Sequence, residues 1–124
     1  MVSDNRRKRL EDNVARLAAE ILHTELKQPL PGMVTVTGAR LAKDLSRARI
    51  WYTAMGGADE RAVVAQRLQR VSSFVQREVA RRLHLRVTPA LSFEFDRSAE
   101  QGAEVLRLLA ELETEDGNEE RDSE

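Results

Sequence analysis

The chain has 124 residues, enough for one domain of ordinary size, and a formal net charge of −1. It has no cysteine, which excludes disulfides, thiolate metal ligands and a cysteine nucleophile. It also has no apolar stretch typical of a signal peptide or a membrane span, so we expect a cytoplasmic protein without a membrane partner.

The first predicted elements are a helix and two strands. Apolar residues recur every three or four positions over residues 4–26, which predicts an amphipathic helix. Residues 34–41 are rich in Val and Thr, which favours a strand, and Gly38 indicates a bulge within it. Residues 48–54 alternate between apolar and polar or basic side chains, so this second strand is predicted to be half-buried, with Trp51 on its open face.

A helix is predicted next, with Asp59 as its N-cap and an apolar face that includes Val64 and Leu68. Ser72 and Ser73 stand in its middle, where serine hydroxyls compete for backbone carbonyls and a serine pair is a known place for a kink. The pattern therefore fits either one long helix or two joined helices.

A third strand and a last helix complete the predicted elements. Residues 91–96 alternate between apolar and polar side chains after Pro89, which suits the start of a strand. Ser98 and Gln101 form a capping-box pattern, and apolar residues at helical spacing predict a helix over residues 102–112.

These elements predict an α+β domain in which helices cover one face of a three-stranded sheet. The predicted order is α-β-β-α-α-β-α. We place this single domain at residues 1–112. Residues 113–124 contain no apolar side chain and are mostly acidic, so we expect them to form a disordered tail.

The sequence lacks the residue patterns of a catalytic site. Its two histidines, His23 and His84, have no metal-ligand spacing, and there is no phosphate-binding glycine loop or nucleophile elbow. Asp44 and Asp96 are more simply interpreted as turn and cap residues than as a catalytic pair. We therefore expect a protein without enzymatic activity, cofactor or metal.

The charge distribution indicates a polyanion as the partner. Residues 1–98 hold 18 Lys/Arg against 11 Asp/Glu, and residues 99–124 hold 2 against 10. Such a basic body attracts nucleic acid, whose phosphates suit the two-pronged arginine side chain. If helical geometry holds through the serine pair, Arg67, Arg70, Arg77 and Arg81 share about one quarter of the helix circumference. The predicted RNA-binding residues are Arg6, Arg7, Lys8, Arg9, Lys43, Arg47, Arg67, Arg70, Arg77, Arg81, Arg82 and Arg86.

Three segments of the chain, residues 6–10, 44–54 and 81–98, resemble the ribosome-binding factor A family of bacteria. The last is the most specific, because it follows the pattern L-R-x-T-P-x-L-x-F-x-x-D after a basic helix end. Its matching residues are Leu85, Arg86, Thr88, Pro89, Leu91, Phe93 and Asp96. The resemblance extends from about residue 6 to residue 112.

The resemblance implies a type II KH-like fold of α-β-β-α-α-β order with a bent helix pair and an additional C-terminal helix. It implies a monomeric, non-catalytic factor that binds the free small (30S) ribosomal subunit and 16S rRNA. Such a factor assists late maturation and 5′-end processing, matters for growth in the cold, and is released by a ribosome-associated GTPase.

The chain departs from the family pattern at the predicted bend. KH domains bind backbone nucleotides with a GxxG loop, which the family replaces by a bend written Ala-x-Gly. Val71, Ser72 and Ser73 stand at the matching place in this chain. Both small family residues are therefore changed.

One alternative function comes from another class of protein. Under this alternative, the chain is an adaptor that docks on a partner protein through the apolar helix 102–112, and the arginines only form a solvated surface. Salt dependence distinguishes the two functions, because phosphate contacts weaken in salt and apolar contacts do not.

Overall fold

The structure is a computed structural model that describes residues 3–31 and 34–122, apart from the side chains of Ala99 and residues 115–122. Three helices and three strands follow one another in the order α-β-β-α-β-α. They are α1 (Asp4–Thr24), β1 (Val34–Leu41), β2 (Arg47–Ala54), α2 (Ala58–Arg82), β3 (Ala90–Phe95) and α3 (Ser98–Asp122). The predicted α+β class, with helices and a three-stranded sheet, is confirmed.

Strand β2 lies in the centre of the sheet, antiparallel to β1 and parallel to β3. The β1–β2 register shifts between Val36 and Gly38, which confirms the bulge expected at this glycine. The shift places Gly38 opposite Trp51 and Arg40 opposite Arg49. The bulge therefore decides which side chains of the two strands meet.

The core lies between the sheet and the helices α1 and α2. The alternation predicted for β2 is confirmed, because Ala48, Ile50, Tyr52 and Ala54 are buried and the side chains between them are not. The helices contribute buried aliphatic side chains at three-and-four spacing to the same core. These residues are Val14, Leu17, Ala18, Ile21 and Leu22 of α1 and Val64, Leu68, Val75 and Val79 of α2. Neither helix covers the opposite face of β2.

Helix α2 is continuous where a bent helix pair is expected. It runs unbroken from Ala58 to Arg82 through Val71, Ser72 and Ser73. The Ser72 hydroxyl donates to the carbonyl of Gln69 at 2.8 Å, within its own turn, and neither serine lacks the backbone N–H that the helix requires. Of the two alternatives left open by the serine pair, the structure therefore has the single long helix.

The start of α2 also differs from the prediction. The N-cap is Gly57 and not Asp59, which lies in the first turn. The Glu60 carboxylate accepts the backbone N–H of Gly57 at 2.6 Å. Gly56 precedes it with φ of +117°, a conformation that L side chains rarely adopt, so the chain turns sharply before the helix begins. This turn places the cap two residues earlier than the sequence pattern suggests.

Asp96 joins three elements at the start of α3. Its carboxylate accepts the hydroxyl of Thr37 in β1 at 2.7 Å and the backbone N–H of Ser98 at 2.8 Å. Ser98 is the first residue of the helix, so Asp96, and not the expected Ser98–Gln101 pair, supplies the capping group. The interpretation of Asp96 as a cap residue is thus supported.

Helix α3 continues past Leu112, the expected end of the domain, to Asp122. The secondary structure has no break at that boundary; the last two residues, Ser123 and Glu124, lie outside the described residues. In the described part of the chain, α3 packs against the other elements through no more than isolated contacts. The limits 1–112 and 113–124, and disorder of the tail, stay a prediction.

The Asp96 contacts give a pH-dependent prediction. Hydrogen bonds from Ser98 and Thr37 lower the pKa of Asp96 below its ordinary value of 3.8, so the folded state favours the ionised carboxylate. This stabilisation is complete above the ordinary pKa and is lost as the pH falls through the lowered pKa of the folded state. We expect the melting temperature of Asp96→Asn to fall less than that of the unsubstituted protein between about pH 5 and pH 2.

Thermal melts followed by circular dichroism measure this difference. Asp44 and Glu78, whose pKa values are also lowered, are present in both proteins and cancel in the comparison. Parallel melting curves for the two proteins across this pH range would show that Asp96 has no such role.

Candidate nucleic-acid interface

The first basic surface is the helix ridge, formed by Arg67, Arg70, Arg77 and Arg81. Because α2 is continuous, these side chains lie within about a quarter of its circumference and extend over about 21 Å at 1.5 Å per residue. Arg70 and Arg77 are exposed and have no side-chain hydrogen bond or ion pair with the described residues. These two guanidinium groups are therefore available for phosphates.

The other two residues of the helix ridge also contact the protein itself. Arg67 Nη1 donates to the carbonyl of Pro29 at 2.9 Å and so holds the segment after α1. Arg81 pairs with Glu78 at 2.7 Å, an ion pair that lowers the pKa of Glu78. Exposed pairs of this kind contribute little stability, so Arg81 can exchange Glu78 for a phosphate.

Arg82 differs from its neighbours because it joins α2 to α1. Its guanidinium pairs with Glu25 just after α1 and with Glu78 at 3.5 Å, and its side chain is only 24% exposed. The hydrogen bond to Glu25 raises the pKa of Arg82. The geometry gives this predicted RNA-binding residue an internal role.

An apolar groove of about 480 Å³ lies beside the helix ridge, between α2 and the segment after α1. Leu26, Leu30, Val71 and Phe74 form its apolar lining, and Arg67 and Arg70 stand among the polar lining residues. Of the residues expected to form a bend, Val71 therefore faces this groove. A ribose or base could lie on this apolar surface while its phosphate contacts the arginines.

A second group of basic residues, the terminal cluster, comes from the start of α1, the β1–β2 turn and the segment after α2. Leu10 of α1, Asp44 and Leu45 of the β1–β2 turn and Arg86 line one depression of about 250 Å³. Leu10 therefore lies near the β1–β2 turn and the segment after α2. The terminal cluster consists of Arg6, Arg7, Lys8, Arg9, Lys43 and Arg86.

Within the terminal cluster, the β1–β2 turn is held by Asp44. Its carboxylate accepts the backbone N–H of Ser46 at 3.0 Å and the hydroxyl of Ser46 at 2.6 Å, and these bonds lower the pKa of Asp44. This supports its interpretation as a turn residue. Arg7 pairs with Asp4 at 3.2 Å; the remaining cations of the cluster have no side-chain partner among the described residues.

Arg47 lies apart from both groups, on the open sheet face. Its neighbours on that face are Arg49 and Trp51 of β2 and Arg40 of β1. Eleven of the twelve predicted residues thus belong to three groups, and the twelfth, Arg82, has the internal role described above. The sequence could have placed Arg49 among the predicted RNA-binding residues, because it stands two positions after Arg47 on the same strand. The position of Arg40 could not be predicted in this way, because it depends on the bulge in β1.

Among residues 3–31 and 34–122, no three His, Asp or Glu side chains are grouped closely enough to hold a metal ion. In the same part of the chain, no helix is long and apolar enough to cross a membrane.

Comparisons with known proteins agree with one another. The family model described as ribosome-binding factor A matches residues 6–109. Ribosome-binding factor A of Thioalkalivibrio sulfidiphilus is 38% identical over 112 residues, which cover 90% of this chain and 87% of that protein. The similarity therefore extends over most of both chains.

Two sets of solved coordinates are also similar. The crystal structure of ribosome-binding factor A from Thermus thermophilus matches with a TM-score of 0.64 and 27% identity, over 74% of this chain and 98% of that one. A homology model of the Thermus thermophilus factor, fitted into a cryo-EM map of a 30S–RbfA complex, matches with a TM-score of 0.60 and 27% identity. That match covers 73% of this chain and 96% of the other.

The different surroundings of Arg82 and Arg77 lead to a stability prediction. Arg82→Ala removes the ion pair that joins α2 to Glu25 and one of the two partners of Glu78, so we expect a lower melting temperature. Arg77→Ala removes the same charge from an exposed position, and we expect its unfolding free energy to stay within about 0.5 kcal/mol of the original. Equal melting temperatures for the two variants would contradict the internal role of Arg82.

Proposed function

Since the chain belongs to the ribosome-binding factor A family, we propose that it binds the free small (30S) ribosomal subunit through 16S rRNA. It assists late maturation and 5′-end processing of that RNA without catalysing a reaction. The proposal of the small subunit as the partner is supported by the Thermus thermophilus relative, whose coordinates were fitted into a map of a 30S–RbfA complex.

The observation that carries this proposal is the helix ridge. Arg70 and Arg77 lie on one face of a rigid helix, exposed and unpaired with any described side chain. A guanidinium group can donate two hydrogen bonds to one phosphate, which makes such a ridge suitable for an RNA backbone. Fixed spacing along a helix selects the shape of the RNA and not its sequence.

The terminal cluster adds a second set of phosphate contacts. Leu10, which follows the cations of the α1 start, lines one depression with the β1–β2 turn and with Arg86, which comes after α2. A folded RNA junction can present phosphates to both groups at once. Each phosphate neutralised releases bound counterions, so the affinity falls steeply as salt rises.

Binding itself is the activity in this proposal. A monomer that occupies a site on immature 16S rRNA holds the local RNA structure and keeps other molecules away until it leaves. Its release requires another factor, and a ribosome-associated GTPase is the class that the family resemblance implies. The consequence for the cell is largest in the cold, where misfolded RNA rearranges slowly.

A second candidate function, the protein adaptor, is favoured by α3. Leu106, Leu109 and Leu112 are 50–68% exposed, and α3 has no extensive packing in the described part of the chain. Such an apolar helix face can dock on a partner protein. In that case high salt would leave binding almost unchanged, whereas the RNA-binding function requires a steep loss.

A double substitution tests the helix ridge. We expect Arg70→Ala with Arg77→Ala to weaken binding to purified 30S subunits at least tenfold. The slope of log affinity against log salt should become shallower by about 1.8, because about 0.9 is lost for each phosphate contact. Fluorescence anisotropy of the labelled protein at several salt concentrations measures both quantities.

The matched control is Arg16→Ala with Arg107→Ala, which removes the same charge from exposed positions outside all three basic groups. We expect this control to retain the original salt slope, and both double variants to keep the original melting curve. The proposal would be contradicted if the ridge variant kept the original slope of log affinity against log salt. It would also be contradicted if the control variant lost as much affinity for 30S subunits as the ridge variant.

A further inference from the structure

The open face of the sheet carries a concentration of arginines that the fold does not need. Arg40 of β1 lies directly opposite Arg49 of β2, and Arg47 stands two residues before Arg49 on the same face. All three side chains are exposed. Like charges at directly opposed positions of a sheet destabilise it, so this arrangement gains nothing for folding.

The charge on this face is only partly neutralised. Arg49 Nε lies 3.4 Å from Glu94 Oε1 in an exposed ion pair, and Arg40 and Arg47 have no ion pair with described residues. On β3, Arg47 faces Ala90 and Arg49 faces Ser92, neither of which carries charge. An anion between Arg40 and Arg49 would relieve their repulsion, and a phosphate fits the guanidinium donors.

Trp51 adds an aromatic surface next to these charges. The residue opposite Trp51 on β1 is Gly38, and a side-chain carbon placed there would meet no atom within 4 Å. Strand β1 therefore leaves this side of the indole open. The Arg49 guanidinium carbon lies 5.8 Å from the centre of the Trp51 ring, within range of a cation–π contact.

The arginines and the indole share one depression. Arg40, Arg47, Arg49, Trp51 and Ser92 line a volume of about 470 Å³. Small-molecule sites in proteins have volumes of about 300–1,000 Å³. The depression combines an aromatic surface with phosphate-binding cations, which is the chemistry that proteins use to bind single-stranded nucleic acid.

We propose that the open sheet face is a second RNA site, which takes an unpaired nucleotide. Its base stacks on Trp51, and its phosphate lies between Arg40 and Arg49. The inference rests on the proposed function only in that the ligand is RNA. Because this face lies on the side of the sheet opposite α1 and α2, the protein would contact a folded RNA through the helix ridge and an unpaired strand through the sheet.

The chain contains a single tryptophan, so its fluorescence reports on this site alone. The experiment titrates the full-length protein with a single-stranded oligonucleotide of six uridines and, separately, with a six-base-pair RNA duplex. We expect saturable quenching by the single strand, with at least tenfold weaker binding for Arg40→Gln with Arg49→Gln. No quenching, or equal quenching by the duplex, would overturn the proposal.

One further variant and one control ligand keep the result interpretable. We expect Trp51→Leu, measured by anisotropy of a labelled oligonucleotide, to bind it about tenfold more weakly with an unchanged circular dichroism spectrum. Unchanged affinity would overturn the stacking. A titration with hexaglutamate should give no quenching; quenching equal to that of the oligonucleotide would identify an acidic peptide as the ligand and would also overturn the proposal.

The ridge variant, Arg70→Ala with Arg77→Ala, separates the two sites. We expect it to bind the oligonucleotide with its original affinity while it loses affinity for 30S subunits. Failure of the sheet site would appear as absent quenching with normal subunit binding. Failure of the proposed function would appear as ridge-independent subunit binding, whatever the oligonucleotide does.

Discussion

The burial of one face of β2 beneath α1 and α2 determines how the sheet and both helices face the solvent. Ile50 is completely buried in this central strand, and Ala48, Tyr52 and Ala54 lie beside it in the core. Successive strand residues point to opposite sides, so this burial forces Arg49 and Trp51 onto the open face. A one-residue slip would bury an arginine, which fixes the register. The same core holds α2 in place and thereby directs the helix ridge to solvent.

The many cations of the chain divide into two classes by their surroundings. Arg82 and Arg67 have internal partners and hold the end of α1 and the segment after it against α2. Arg70 and Arg77 have none among the described residues and remain exposed. Sequence position does not distinguish the two classes, since Arg67 and Arg70 are only one turn apart on the same helix. The arginines that are exposed and have no partner among the described residues are therefore fewer than the number of arginines suggests.

The parts of the fold with a local cause could be predicted from the sequence. The order of elements, the half-buried β2 and the bulge at Gly38 follow from side-chain periodicity and from glycine. The helix ridge follows from helical spacing once α2 is known to be continuous. That continuity could not be predicted, because a serine pair is compatible with both a straight and a kinked helix. The internal role of Arg82 depends on Glu25, which lies 57 residues away in the sequence. The Asp96 carboxylate accepts the hydroxyl of Thr37, which lies 59 residues away. The opposition of Arg40 and Arg49 depends on strand register. None of these pairings has a pattern that a local reading of the sequence can detect.

Sedimentation of a cell lysate tests whether phosphate contacts hold this protein on the free small subunit. The lysate is separated on sucrose gradients at low and at high salt, and each fraction is probed for the protein. We expect the protein to migrate with free small subunits at low salt, to be absent from large subunits and assembled ribosomes, and to remain at the top of the gradient at high salt. A protein that stays at the top at both salt concentrations, or that migrates with the subunit unchanged at high salt, would contradict the account.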